Sequence, residues 1–136
     1  MATTTAAITI TSTDLLSDSL SLSTTSTLTK AGGAVGLDQT SGLGRKTTTS
    51  TSQYILFDAD DYASGPAKAH KVYLKNTSTT DSEYFLVSVD DKSIGRIYAG
   101  DWAFIPWANA DGTNDIKITP SVATSMTLEF MLIHEA

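Results

Sequence analysis

Ile94-Gly95-Arg96-Ile97-Tyr98-Ala99-Gly100-Asp101-Trp102-Ala103-Phe104-Ile105-Pro106-Trp107 is the stretch on which the fold reading turns. Both tryptophans and four of the eleven aromatic residues fall within these fourteen positions. A buried aromatic contributes roughly 150–250 Å² of contact, so the stretch predicts the centre of the core, with Tyr98, Trp102, Phe104 and Trp107 as its organisers. Ile94, Arg96 and Tyr98 alternate with Ile97 and Ala99, as side chains of a strand do. Gly100-Asp101 interrupts the run, and Trp102, Phe104 and Ile105 resume it until Pro106 removes a ladder donor. The expectation is strand, tight corner, strand.

Downstream and upstream of this stretch, short runs of the same kind recur. They are Gln53-Tyr54-Ile55-Leu56-Phe57, which fits a strand covered on both faces, His70 to Lys75, Tyr84 to Val89, Asp115 to Thr119 and Met126 to Ile133. Asn76 to Asp81, Asp90 to Ser93 and Asn109 to Thr113 separate them with turn-forming residues. Regularly spaced short strands without an amphipathic helix predict an all-β, antiparallel β-sandwich or jelly-roll-like body. In the last run Leu128, Phe130 and Leu132 share one face and Glu129, Met131 and Ile133 the other. Two partly apolar faces imply a central strand, or a second face covered by another subunit.

Residues 1–53 differ in kind, for they contain no aromatic residue and are dominated by Ser and Thr. This step divides the chain into an extended N-terminal arm, 1–53, and a body, 54–136. Within the arm Ile8 and Ile10, then Leu20 and Leu22, alternate with Ser and Thr as two one-faced strands, with Asp14 to Asp18 as a turn or a short helical turn between them. Five of the nine glycines lie in Thr29 to Gly36 and Ser41 to Lys46, marking loops. The arm has too little bulk for a core of its own and too regular an alternation for a disordered linker. It is expected to gain order against the body or against a neighbouring subunit, through Ile8, Ile10, Leu20 and Leu22.

Length, charge and motifs narrow the function classes. One domain of 136 residues with net charge −6 and nine basic residues is a poor ligand for phosphate backbones or anionic membranes. The absence of cysteine removes disulfides and thiolate metal sites. Met1-Ala2-Thr3-Thr4-Thr5 carries no basic and apolar leader, and no run reaches the roughly twenty apolar residues of a membrane span, so a product without a visible export signal is expected. Asn76-Thr77-Ser78 matches a glycosylation acceptor, with a turn after a strand as the simpler reading.

Asp58-Ala59-Asp60-Asp61 is the densest acidic run, yet Tyr62, Ala63 and Ala69 stand where a calcium loop needs its turn and its bidentate Glu, so a solvated turn is expected and no metal is assigned. His70 and His134 lack a Gly-x-Ser-x-Gly elbow to serve, and both read as structural. Gly44-Arg45-Lys46-Thr47 departs from a phosphate loop because Arg45 stands where Gly must precede Lys. Arg45-Lys46, the lone adjacent basic pair, is expected to meet an acidic surface on a partner or neighbour. No catalytic or cofactor-binding residue is assigned. Trp102 and Trp107 could alternatively form a sugar-stacking platform, a reading that singles out Trp107 and Tyr62.

Lys71-Val72-Tyr73-Leu74-Lys75-Asn76-Thr77-Ser78, the stretch Ile94 to Trp107, Thr119-Pro120-Ser121-Val122 and the final strand together resemble small β-rich virion proteins of tailed bacteriophages, of the kind found with aquatic and cyanobacterial hosts. The resemblance covers about residues 68–135, with Gly42-Leu43-Gly44-Arg45-Lys46 as a weaker echo. It implies a non-enzymatic component of the virion, assembled in the host cytoplasm. Its partners would be itself, as a trimer or higher homo-oligomer, and the major capsid protein or other virion proteins. Capsid decoration or cement is the leading expectation. A tail-tube, adaptor or baseplate part and a carbohydrate-binding module of a host-recognition fibre are the alternatives.

Overall fold

A computed structural model of the chain describes residues 3–62, 68–109 and 113–136. Ala63 and the middle of the turn Asn109 to Thr113 lie outside the described residues. The described chain is all-β and antiparallel. Its strands are β1 (Thr5–Ser12), β2 (Leu20–Thr27), β3 (Gln39–Thr40), β4 (Gly44–Thr48), β5 (Tyr54–Phe57), β6 (His70–Asn76), β7 (Tyr84–Val89), β8 (Lys92–Tyr98), β9 (Trp102–Pro106), β10 (Ile116–Pro120) and β11 (Met126–His134). One sheet runs β5-β10-β7-β8, and the other runs β9-β6-β11, with β3 and β4 end to end on the free edge of β11.

The two sheets close over a core set by the alternation of their central strands. In β6, His70, Val72, Leu74 and Asn76 point inward and are buried, while Lys71, Tyr73 and Lys75 point out. Val72 and Leu74, with Leu128 and Leu132 of β11, meet Phe85 and Val87 of β7 and Ile116 and Ile118 of β10. At about 25 cal/mol per Å² of apolar area, this layer is the main source of stability. Buried Asn76 ties the sheets together: its amide donates to the carbonyls of Glu83 and Ile97, both at 3.1 Å, and its Oδ1 accepts from Ser78 N at 3.0 Å. It is a satisfied core amide with no surface to offer a glycan.

The expected strand, corner, strand over 94–107 is present, but its role differs from the expectation. Gly100, at φ +80°, and Asp101 turn the chain, with Asp101 N donating to Tyr98 O at 2.9 Å. The corner carries the chain from one sheet to the other, so β8 and β9 are edge strands of different sheets. Each strand turns alternate side chains away from the core. Tyr98 is therefore 41% and Trp102 51% exposed, and Phe104 lies on the outer face of its sheet, where the N-terminal segment covers it. Trp107 alone of the four proposed organisers packs in the core cluster, and the centre of that core is β6, β7, β10 and β11. Tyr54 to Phe57 likewise forms an edge strand rather than one covered on both faces, and Ile55 is half exposed.

The compositional boundary at residue 53 is not the structural one. Only β1 and β2 form a separate sheet, whereas β3 and β4 complete the sheet of the body. Asp14 to Asp18 bends without forming a helix, held by Ser12 Oγ, which accepts from Leu15 N at 3.0 Å.

Candidate functional site: the ribbon and the face it covers

β1 and β2 pair in register from Thr5–Thr27 to Ser12–Leu20. Strand alternation then puts Ala6, Ile8, Ile10, Leu20 and Leu22 on one face and Thr5, Ala7, Thr9, Thr11 and the Ser and Thr of β2 that oppose them on the other. The ribbon is amphipathic. Its base is anchored: Leu28 N donates to Thr4 O at 2.8 Å, and Leu28 and Leu37 are buried against Ile133, with Ala6, Phe104 and Met131 packed around them. The second apolar face of β11 is thus covered from within the chain. Beyond the base the cover ends, leaving Ile10 49%, Leu22 48%, Leu15 70% and Leu16 60% exposed.

Residues between the ribbon and the body are stitched down by polar groups. Ala31 N and Ala69 N both donate to Glu135 Oε2, at 3.1 and 3.3 Å, which holds that carboxyl below its ordinary range. Lys30 pairs with Asp38, lowering the Asp38 carboxyl and raising the lysine. Thr40 Oγ1 donates to Leu132 O at 2.9 Å, and Leu132 N donates to Ser41 Oγ at 2.9 Å. Gly44 lies where an added Cβ would sit 2.8 Å from the Phe130 ring, so glycine there lets β4 pair with β11 without displacing that ring.

The basic pair finds partners inside the chain. Arg45 Nε donates to Glu129 Oε2 at 2.9 Å while its Nη2 lies 2.8 Å from the same oxygen, and Tyr73 OH donates to Glu129 Oε1 at 3.2 Å. The guanidinium first, and the phenol after it, hold the Glu129 carboxyl low; burial, then the carboxylate, raise the Tyr73 phenol. Lys46 lies over the Tyr54 ring at 4.1 Å from its centre. The acidic surface expected on a partner is, for Arg45, Glu129 of its own sheet. No signal in the sequence marks Glu129 as that partner, because the two residues are 84 positions apart.

Where β1 leans over the sheet it leaves a cleft of about 330 Å³ between Ala6 to Ile8 and Tyr73, Lys75, Trp102 and Phe104. The pairing of β9 with β6, β6 with β11 and β11 with β4 sets Trp102, Lys75, Glu129 and Arg45 in one row across the outer face. In this row the exposed aromatic surface is that of Trp102, 51% accessible. Trp107 is 3% exposed, with Phe57, Tyr62 and His70 packed on it, so the Trp107 and Tyr62 sugar platform is closed.

The other candidates resolve as packing and turns. His70 and His134 are cross-strand neighbours with parallel rings 5.9 Å apart, between Trp107 and Tyr62. Asp58 caps a turn of 3-10 helix by accepting from Asp60 N at 3.0 Å, and Asp115 accepts from Ala59 N at 2.9 Å. Lys117 lies 3.2 Å from Asp90 and 3.8 Å from Asp91. Among the described residues no three His, Cys, Asp or Glu converge as metal ligands, and no helix is long and apolar enough to cross a membrane.

Comparison with known proteins finds no matching family model, no matching curated protein and no matching solved structure.

Proposed function

We propose that the chain is a non-enzymatic virion structural protein, a capsid decoration or cement protein that self-associates, with a trimer favoured, and uses its β1–β2 ribbon to clasp neighbouring subunits or the shell. The observation that carries this reading is the distal half of the ribbon, whose apolar face continues past the body with Ile10, Leu22, Leu15 and Leu16 uncovered. A lone two-stranded hairpin is marginal in water, so a ribbon of this pattern is material for burial against something else. The resemblance of the body to phage virion proteins supplies the setting. The test is the native mass of the full chain and of Ile10→Ser/Leu22→Ser by light scattering, with peptide mapping of purified phage particles. An oligomer that dissociates in the double variant, and peptides of the chain in the particles, are expected. An unchanged mass in the variant, or particles without the chain, would overturn the reading.

A glycan-binding reading draws on a separate observation, the half-exposed Trp102 beside Lys75 and the Tyr73–Glu129–Arg45 network. Binding on a glycan array that disappears in Trp102→Ala, with folding retained, would favour it. A tail-tube or baseplate ring, visible in negative stain, would move the same ribbon to another part of the virion.

A further inference from the structure

The two sheets are unequally covered. The outer face of β9-β6-β11 carries the base of the ribbon on Phe104, Met131 and Ile133. Among the described residues no strand covers the outer face of β5-β10-β7-β8, and Ile55, Ile94 and Tyr98 stand 47%, 54% and 41% exposed on its two edge strands. On β8 the register steps from Val87–Gly95 to Ser88–Ser93, so Ile94 is the extra residue of a bulge and is turned out of the ladder. Leu86, Ser93, Ile94, Gly95, Arg96 and Tyr98 line a shallow concavity of about 540 Å³ there. A Cβ placed on Gly95 meets nothing within 4 Å.

Arg96 is the basic residue that lines this concavity, and Lys92 stands near it at the start of β8. Arg96 lies with its guanidinium 4.9 Å from the centre of the Tyr84 ring, and neither it nor Lys92 makes an ion pair among the described residues. Asp90 and Asp91, at the adjoining turn, face Lys117. The tip of the ribbon is the opposite in charge: Asp14 and Asp18 flank Leu15 and Leu16, and no basic residue occurs before Lys30. Eight residues of strand place that tip about 26 Å from the ribbon's base.

We infer that the Asp14-Leu15-Leu16-Ser17-Asp18 tip of one copy docks in the β8 concavity of a second copy, with Leu15 and Leu16 against Ile94 and Tyr98 and the aspartates toward Lys92 and Arg96. The proposal rests on the reading of the ribbon as the assembly device and names the surface it meets. Donor and acceptor are different surfaces, so the contact is head to tail, closing into a ring if the rotation per copy permits it. The desolvated tip leucines supply affinity, and the charge pairing fixes orientation and encounter rate.

The chain has no cysteine, so introduced ones report a contact cleanly. Leu16→Cys and Ile94→Cys full-length proteins, mixed and oxidised, are expected to link to each other and not to themselves. Asp14→Lys/Asp18→Lys, and separately Lys92→Glu/Arg96→Glu, are expected to weaken association about tenfold or more at low salt, and all four substitutions in one chain to restore it. Linkage of Leu16→Cys only to itself, or a fourfold variant as dissociated as either pair, would overturn this contact. If Ile10→Ser/Leu22→Ser dissociates the oligomer while Leu16 and Ile94 fail to link, the ribbon still assembles the protein and only this docking surface is wrong. A full chain that stays monomeric at every concentration overturns both.

Discussion

Trp102 and Trp107 belong to one aromatic stretch and stand in opposite environments, a division that five residues of alternation decide. Ala103, Ile105 and Trp107 face the core, whereas Trp102, Phe104 and Pro106 face out. Both sets are apolar, so the sequence offers no polar parity to choose between them. Truncating the buried ring is expected to be costly and truncating the exposed one cheap: Trp107→Ala should lose about 3–5 kcal/mol in urea unfolding, and Trp102→Ala less than about 1 kcal/mol. Equal losses would mean that Trp102 is buried too. Gly44 poses the converse test, since its approach to Phe130 leaves no room for a methyl group without displacement of the ring. Gly44→Ala is expected to cost about 1–3 kcal/mol, whereas Gly95→Ala, with nothing near its Cβ, should leave unfolding by urea nearly unchanged.

At the scale of elements, the segment from Leu28 to Thr48 belongs to the body despite its composition. Edge strands pair through backbone groups, and β3 and β4 need no bulky side chains to do so, which is why Ser, Thr and Gly hid them. The alternation of β6 and β10 was legible because most of their polar and apolar residues separate by parity, Ile8, Ile10, Leu20 and Leu22 were legible for the same reason, and β11 was legible as a strand apolar in part on both faces. What holds the edge segment is long-range and polar, and spacing in sequence cannot reveal it. Glu129, Glu135 and Asp38 all have carboxyls depressed in the folded protein. A depressed carboxyl contributes stability above its unfolded value and loses it as pH falls through the folded one. The hold on Ala31 and Arg45 is therefore expected to be complete at neutral pH and to weaken in acid below the ordinary glutamate value of 4.5, and the Lys30–Asp38 pair below the ordinary aspartate value of 3.8. Amide exchange, corrected for its intrinsic pH dependence, checks this: protection at Leu37, Ser41 and Lys46 should fall in acid before protection at Val72 or Ile118 does. Simultaneous loss at all five would refer the acid effect to global unfolding instead.

For the molecule as a whole, the distribution of uncovered apolar surface carries the argument. The interior between the sheets is closed by Val72, Leu74, Phe85, Ile116, Leu128 and Leu132, none more than marginally accessible. Ile10, Leu15, Leu16 and Leu22 on the ribbon, and Ile94 and Tyr98 on β8, remain open at opposite layers of the fold. Local stability follows burial, so the distal ribbon should open at a small fraction of the free energy that opens the core. Association that covers the ribbon removes that weakness, because a partner bound only by the ordered form adds to its stability by mass action. Exchange of the amides of Ile10, Ser12, Leu20 and Leu22 is therefore expected to slow as protein concentration is raised through the assembly range, while exchange at Val72 and Ile118 stays constant below the limit of global unfolding. Asp14→Lys/Asp18→Lys should abolish the concentration dependence at the ribbon without altering the core amides. Ribbon exchange that is slow at every concentration would mean that the hairpin is stable alone, and its open apolar face would then lose its standing as an assembly device.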